Sequence, residues 1–188
     1  KLKPHRFIRL EEQTFDDYAV WLERGYGMLK EGKVAAVLVA GGQGTRLGHN
    51  GPKGTYSIDS PSRFSLFELQ ALRILHMKRA NGARIPWMVM TSRQNDRVTR
   101  DYFAEKNYFG LDPDEIFFFQ QGELPALAPD GKILLAGPGE IAWVPDGNGG
   151  VFRALHRAGG LEWLKARGCT TIFLYGVDNA LIRVCDPT

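Results

Sequence analysis

The segment VAAVLVAGGQGTRLGHNGPKG, residues 34–54, carries the residues best suited to chemistry in this chain. Gly41, Gly42, Gly44 and Gly48 expose backbone that can bend through positive φ and approach a ligand closely. Successive bare N–H groups in such a turn form a concave anion-binding nest. Arg46 adds a planar fork suited to phosphate oxygens, and Lys53 adds a point charge. The chemistry implied is binding of a polyphosphate by a loop that stays mobile until an anion orders it. Two better-known phosphate loops are excluded. A dinucleotide fingerprint starting at Gly42 would need a glycine where Leu47 stands, and Lys53 lacks the flanking residues of a P-loop.

Other candidates stand at the ends of apolar runs. Asp178, in YGVDN, either caps the turn that follows or binds a hard cation; Mg²⁺ is commonly held by one or two carboxylates plus substrate phosphates. Asn179 is expected to support that turn. Gln120 and Gln121 end the run IFFFQQ and, as neighbours on a strand, point to opposite sides. Gly147, Asn148, Gly149 and Gly150 form a second backbone-exposing turn, where Asn148 could cap the following helix. Thr91, Ser92 and Arg93 are weaker candidates. The four histidines show no metal-ligand spacing, and Phe117 to Phe119 reads as core.

These residues need a frame. Residues 34–40 form a continuous apolar run, the mark of a strand covered on both faces. Further strands are predicted at 87–90, 116–119 and 170–177. Spacing of three and four predicts an amphipathic helix over 10–30, ended by Gly32. Ser65 and Glu68 form a capping box ahead of LFELQALRILHM. Helices are also predicted at 95–107, 151–158 and 161–167. The Gly- and Pro-rich stretch 124–144 reads as a loose hairpin or small lobe. Strands alternating with helices give an α/β fold with a mainly parallel sheet flanked by helices, after an N-terminal helical segment at 1–32. Ligands bind beyond the carboxyl ends of such strands. The glycine loop, TSR, QQG and VDN all fall there.

The glycine loop resembles the signature G-G-x-G-T-R-L-G, followed by P-K, of the sugar-nucleotide pyrophosphorylases. More narrowly, IFFFQQGELPAL, VPDGNGGVFRAL and GVDNALIRVCDP are similar to the eukaryotic-type UDP-N-acetylglucosamine pyrophosphorylases. The resemblance implies a Rossmann-like nucleotidyltransferase domain over 33–188, and a reaction of UTP with a sugar 1-phosphate that gives a UDP-sugar and pyrophosphate. It assigns Arg46 to the β- and γ-phosphates and Lys53 to the α-phosphate or the incoming sugar phosphate. Gly41, Gly42, Gly44 and Thr45 would line the nucleotide. A glutamine in this segment, with Gln121 favoured over Gln120, would read uracil, whose O4/N3 edge matches a carboxamide. Gly147, Asn148 and Gly149 would lie along the base and sugar, and Asp178 would hold Mg²⁺, with Mn²⁺ possible. A UTP-binding piece without turnover, or an enzyme for another sugar such as glucose, are the alternatives.

A net charge of +3 is too small to argue for nucleic acid or a membrane surface. Cys169 and Cys185 are too few for a disulfide framework, which favours a reducing, cytoplasmic setting. The chain starts without methionine and stops just after a motif, so part of a longer protein is expected. The residues that would grip an N-acetyl group are expected beyond Thr188.

Overall fold

The computed structural model describes residues 9–58 and 61–188, so the first eight residues of the expected N-terminal segment lie outside the described residues. Four parallel strands form the central sheet: β1 (Val34–Val39), β2 (Trp87–Thr91), β3 (Ile116–Gln120) and β8 (Thr171–Gly176). Their order is β3-β2-β1-β8, with Val37 level with Met88 and Leu174 across the two central pairings. The α/β fold expected from the alternation of strands and helices is the one observed.

Alternation along β1 explains why its whole run is apolar. Ala36 and Leu38 face one side, where Leu29 of α1 (Phe15–Lys30), Phe67 and Ile74 of α2 (Leu66–Asn81) and Phe103 of α3 (Asp96–Glu105) cover them. Ala35 and Val37 face the other, under Leu155 of α4 (Val151–Arg157) and Leu164 of α5 (Gly160–Ala166). All four β1 residues are fully buried, as a strand between two helical layers requires. Phe103 centres the first layer, with its ring 4.9 Å from Phe67 and 5.0 Å from Phe118.

The helix predicted over 10–30 is shorter. A separate 3-10 turn occupies Leu10–Glu12, and α1 begins only after Thr14. The Thr14 side chain accepts from the Asp17 N–H while Asp17 accepts from the Thr14 N–H. That reciprocal box starts the helix where four amides would otherwise be orphaned. Ser65 and Glu68 make the same box at α2, as expected. The stretch 124–144 folds as two antiparallel pairs: β4 (Glu123–Pro125) with β7 (Trp143–Pro145), and β5 (Leu135–Gly137) with β6 (Glu140–Ile141).

Candidate active site

The glycine loop leaves β1 at the carboxyl edge of the sheet. Ala40 still donates to the Met90 carbonyl of β2 at 2.8 Å. The loop then folds back on itself. Gly44 N–H donates to Gly51 O at 2.9 Å, Lys53 N–H donates to Gly42 O at 3.0 Å, and Gln43 faces Pro52 across this bridge. Among the described residues, none accepts a hydrogen bond from the N–H of Gly41, Gly42, Gln43, Thr45 or Arg46. Those five amides form the bare backbone that a polyphosphate can use.

The expectation that these glycines supply positive φ needs correction. Of the four, only Gly48 does so, at φ +66°. Gly41 and Gly44 are glycines because side chains lie on their backbone. A Cβ at Gly41 would stand 2.5 Å from Gln121 Oε1, and one at Gly44 would stand 2.8 Å from His49 Cδ2. His49, which has no metal-ligand spacing in sequence, braces the loop from inside. Its Nε2 lies 2.7 Å from Thr55 Oγ1. The Thr55 hydroxyl already donates to the Pro52 carbonyl, so Nε2 is the donor of that pair.

Lys53 is pinned by the short 3-10 turn Lys53–Thr55, whose Gly54 packs under the Phe67 ring of α2. Its Nζ reaches across the sheet edge to Asp178 Oδ2 at 3.2 Å. Asp178 follows β8, and Val177 N–H donates to the Val39 carbonyl, so the two loops leave the sheet side by side. The Asp178 carboxylate makes no capping bond; among the described residues its side chain is partnered by Lys53 alone. Gly42, Lys53, Asn148 and Asp178 line one cleft of about 360 Å³ with the ends of β1 and β8. Asn148 does not cap α4, whose N-cap position is held by Gly150, with no side-chain cap bond.

Gln121 leaves β3 with its N–H on the Thr91 carbonyl and its carboxamide against Gly41. It lines a neighbouring cleft of about 240 Å³ with Gln120, Asp146 and Arg153. Gly147 takes φ +76°, open to no L side chain without strain, and Gly149 is exposed in the 3-10 turn Asn148–Gly150. Arg46 and Thr45 lie exposed on the turn Thr45–Leu47, outside the Lys53 cleft. The tertiary structure therefore gathers Gly42, Lys53, Asn148 and Asp178, sets Gln121 on Gly41, and leaves Arg46 without an ion-pair partner among the described residues.

Two residues escaped the sequence reading. Asp146 is wedged between Gly122 and Gly150, each of which would clash with it if it carried a Cβ. The DG-x-GG pattern was the available signal. Asn95, read only as the start of a helix, is buried against the glycine loop. Next to it, Asp96 accepts from the Thr91 hydroxyl at 2.5 Å and from Arg100 Nε at 2.9 Å. Burial raises its pKa, but these bonds, one from Gln120 and the Arg100 charge outweigh that and hold the carboxyl below the usual range.

The family described as UTP–glucose-1-phosphate uridylyltransferase matches residues 6–188. The chain belongs to this family. It is 45% identical over 189 residues to UDP-N-acetylglucosamine diphosphorylase 1 of Arabidopsis thaliana, a match that covers 95% of this chain and 37% of that protein. It is 41% identical over 192 residues to the human UDP-N-acetylhexosamine pyrophosphorylase-like protein 1, covering 99% and 38%. Among solved structures, the uridine diphosphate N-acetylglucosamine pyrophosphorylase of Trypanosoma brucei superposes with a TM-score of 0.84 at 32% identity, over 92% of this chain and 37% of that one. The chain thus spans a little over a third of the length of these relatives. The resemblance read from the motifs is borne out, including its narrower branch.

Proposed function

We propose that this chain is the nucleotide-holding part of a uridylyltransferase that makes UDP-N-acetylglucosamine and pyrophosphate from UTP and N-acetylglucosamine 1-phosphate. The observation that carries the reading is the meeting of Lys53 and Asp178 at 3.2 Å beside the bare amides of the glycine loop. The identity to proteins named for that sugar nucleotide supports the choice of sugar.

In this reading the loop amides at Gly41, Gly42 and Thr45 hold the triphosphate, with Arg46 closing on its β- and γ-phosphates. Gln121 reads uracil, and Gly147, Asn148 and Gly149 lie along base and sugar. An oxygen of the sugar phosphate attacks the α-phosphorus of UTP in line. One P–O bond forms as the bond to the bridging oxygen breaks, and pyrophosphate leaves with the electron pair. Bringing two anions together is the main barrier, so positioning and charge neutralisation by Lys53 and Arg46 carry the catalysis. Asp178, exposed and with one free carboxylate edge, suits a hard ion that takes its other ligands from water and substrate phosphates. Such an ion, Mg²⁺ or Mn²⁺, would neutralise phosphate charge there.

Pyrophosphate release measured with UTP and a panel of sugar 1-phosphates tests the reaction and the sugar together. N-acetylglucosamine 1-phosphate is expected to lead the panel; a lead for glucose 1-phosphate would overturn the choice of sugar. Because the chain spans about a third of its relatives, a second reading is that these residues bind UTP without turning it over. Calorimetry with UTP beside the release assay separates the two. Both cysteines are free thiols, which supports a reducing compartment such as the cytoplasm. No helix among the described residues is long and apolar enough to cross a membrane.

A further inference from the structure

Asn95 stands at the N-cap of α3, where an asparagine ordinarily accepts from an amide of its own helix. It makes no such bond. Its side chain turns back toward the end of β1 and is 1% exposed. Oδ1 accepts from the Ser92 N–H at 2.8 Å. Nδ2 donates to the Ala40 carbonyl at 3.0 Å and to the Gly42 carbonyl at 3.4 Å. The Ser92 donor decides which edge of the amide carries oxygen, so both N–H groups of Asn95 go to the glycine loop.

A trans peptide is planar, and its N–H points opposite to its C=O. Holding the Ala40 carbonyl therefore sets the direction of Gly41 N–H, and holding the Gly42 carbonyl, which Asn95 shares with the Lys53 N–H at 3.0 Å, sets that of Gln43 N–H. Strand alternation gives that direction. The Val39 carbonyl accepts from Val177 on the β8 side, while Ala40 donates to Met90 on the β2 side and its carbonyl faces Asn95. Gly41 N–H thus turns back toward β8, the side on which Asp178 stands. Gly41 and Gln43 are two of the loop residues whose amides have no acceptor among the described residues.

We propose that Asn95 is a positioning residue that aims the amides of Gly41 and Gln43 at the phosphates of the bound nucleotide. This rests on the nucleotide reading above. A helix cap has been exchanged for the orientation of an anion site one strand away.

The test is Asn95→Asp, which keeps the shape and the bond from Ser92 but sets a carboxylate oxygen against two carbonyls. Binding of UTP, inorganic pyrophosphate and uridine is measured on the protein and the variant, with amide NMR shifts of Gly41 and Gln43 as the second readout. In the unaltered protein pyrophosphate should move both amide signals. In the variant, affinity for UTP and pyrophosphate should fall at least tenfold while uridine binding holds, a split that general loosening would not give. A folded variant with unaltered pyrophosphate affinity overturns the role of Asn95. So do Gly41 and Gln43 signals that pyrophosphate leaves unmoved in the unaltered protein, a measurement that stands even where the variant fails to fold. Pyrophosphate binding without UTP binding would instead remove the nucleotide reading and leave Asn95 as the organiser of an anion site. Binding of neither removes both.

Discussion

The ammonium of Lys53 and the carboxylate of Asp178 are ion-paired at 3.2 Å across 125 residues of chain. One belongs to the loop after β1, the other to the loop after β8, and the parallel pairing of those strands is what brings them together. Asp178 is 66% exposed, so the pair adds little to stability, at most about 1 kcal/mol. In the proposed mechanism its value lies in the site. Asp178→Asn is expected to leave thermal unfolding almost unchanged and to lower pyrophosphate release about 10²-fold or more, the scale for losing a charge aimed at a transition state. Lys53→Ala should do the same and also weaken UTP binding. Near-normal turnover in both variants would take the pair out of the mechanism.

Gly41 lies directly against the Gln121 carboxamide, the group proposed to read the base. An added methyl there meets the far end of the Gln121 side chain, which can swing aside without disturbing the fold. Gly41→Ala should therefore keep its unfolding midpoint and lose preference for UTP over CTP by about tenfold, a shift of about 1.4 kcal/mol. Competition binding with the two nucleotides measures it. Undiminished preference would show that Gln121 does not read the base.

Gly54 is a packing position. A methyl at that site would enter the ring of Phe67, a side chain with no exposed surface in the core under β1. The ring is held by Phe103 and Tyr102 and cannot move freely. Gly54→Ala is expected to destabilise by about 1–3 kcal/mol, the usual cost of overpacking, and to displace Lys53. Denaturant midpoints give the first effect and UTP affinity the second.

Two part-buried carboxylates make stability sensitive to acid. Burial raises the Glu68 pKa, but bonds from the Ser65 backbone and hydroxyl, with Lys106 and Tyr102 nearby, bring it below the ordinary value. Asp96 is lowered in the same way. A lowered folded-state pKa means that the unfolded chain binds more protons, so the stabilisation is fully present above the unfolded values near 4. It is lost as pH falls through the folded values. Unfolding temperature should be flat around neutrality and drop below about pH 4.5, by the same linkage. Asp96→Asn should make that drop shallower. An unchanged acid slope in the variant would show that Asp96 is not one of its sources.

The order of elements was legible in the sequence because burial on both faces leaves a run such as VAAVLV with no polar position, and because Ser65 and Glu68 announce their helix by spacing alone. The motifs of the site were legible for the same local reason: glycine, arginine and lysine crowded into one loop are chemically unusual wherever the chain goes. The start of α1 was misplaced because periodicity is a broad signal, and a single side-chain bond from Thr14 decides the end. What local sequence cannot contain is distance between elements. Why Gly41 must lack a side chain depends on Gln121 after β3, and what Asp178 faces depends on Lys53 after β1. What holds the Ala40 carbonyl at the start of the loop depends on Asn95, which reads in sequence as an ordinary helix start. The chain alone determined strands, helices and a loop rich in anion-binding groups. Only the parallel order β3-β2-β1-β8, set by burying both faces of β1, decided which of those groups share a cleft.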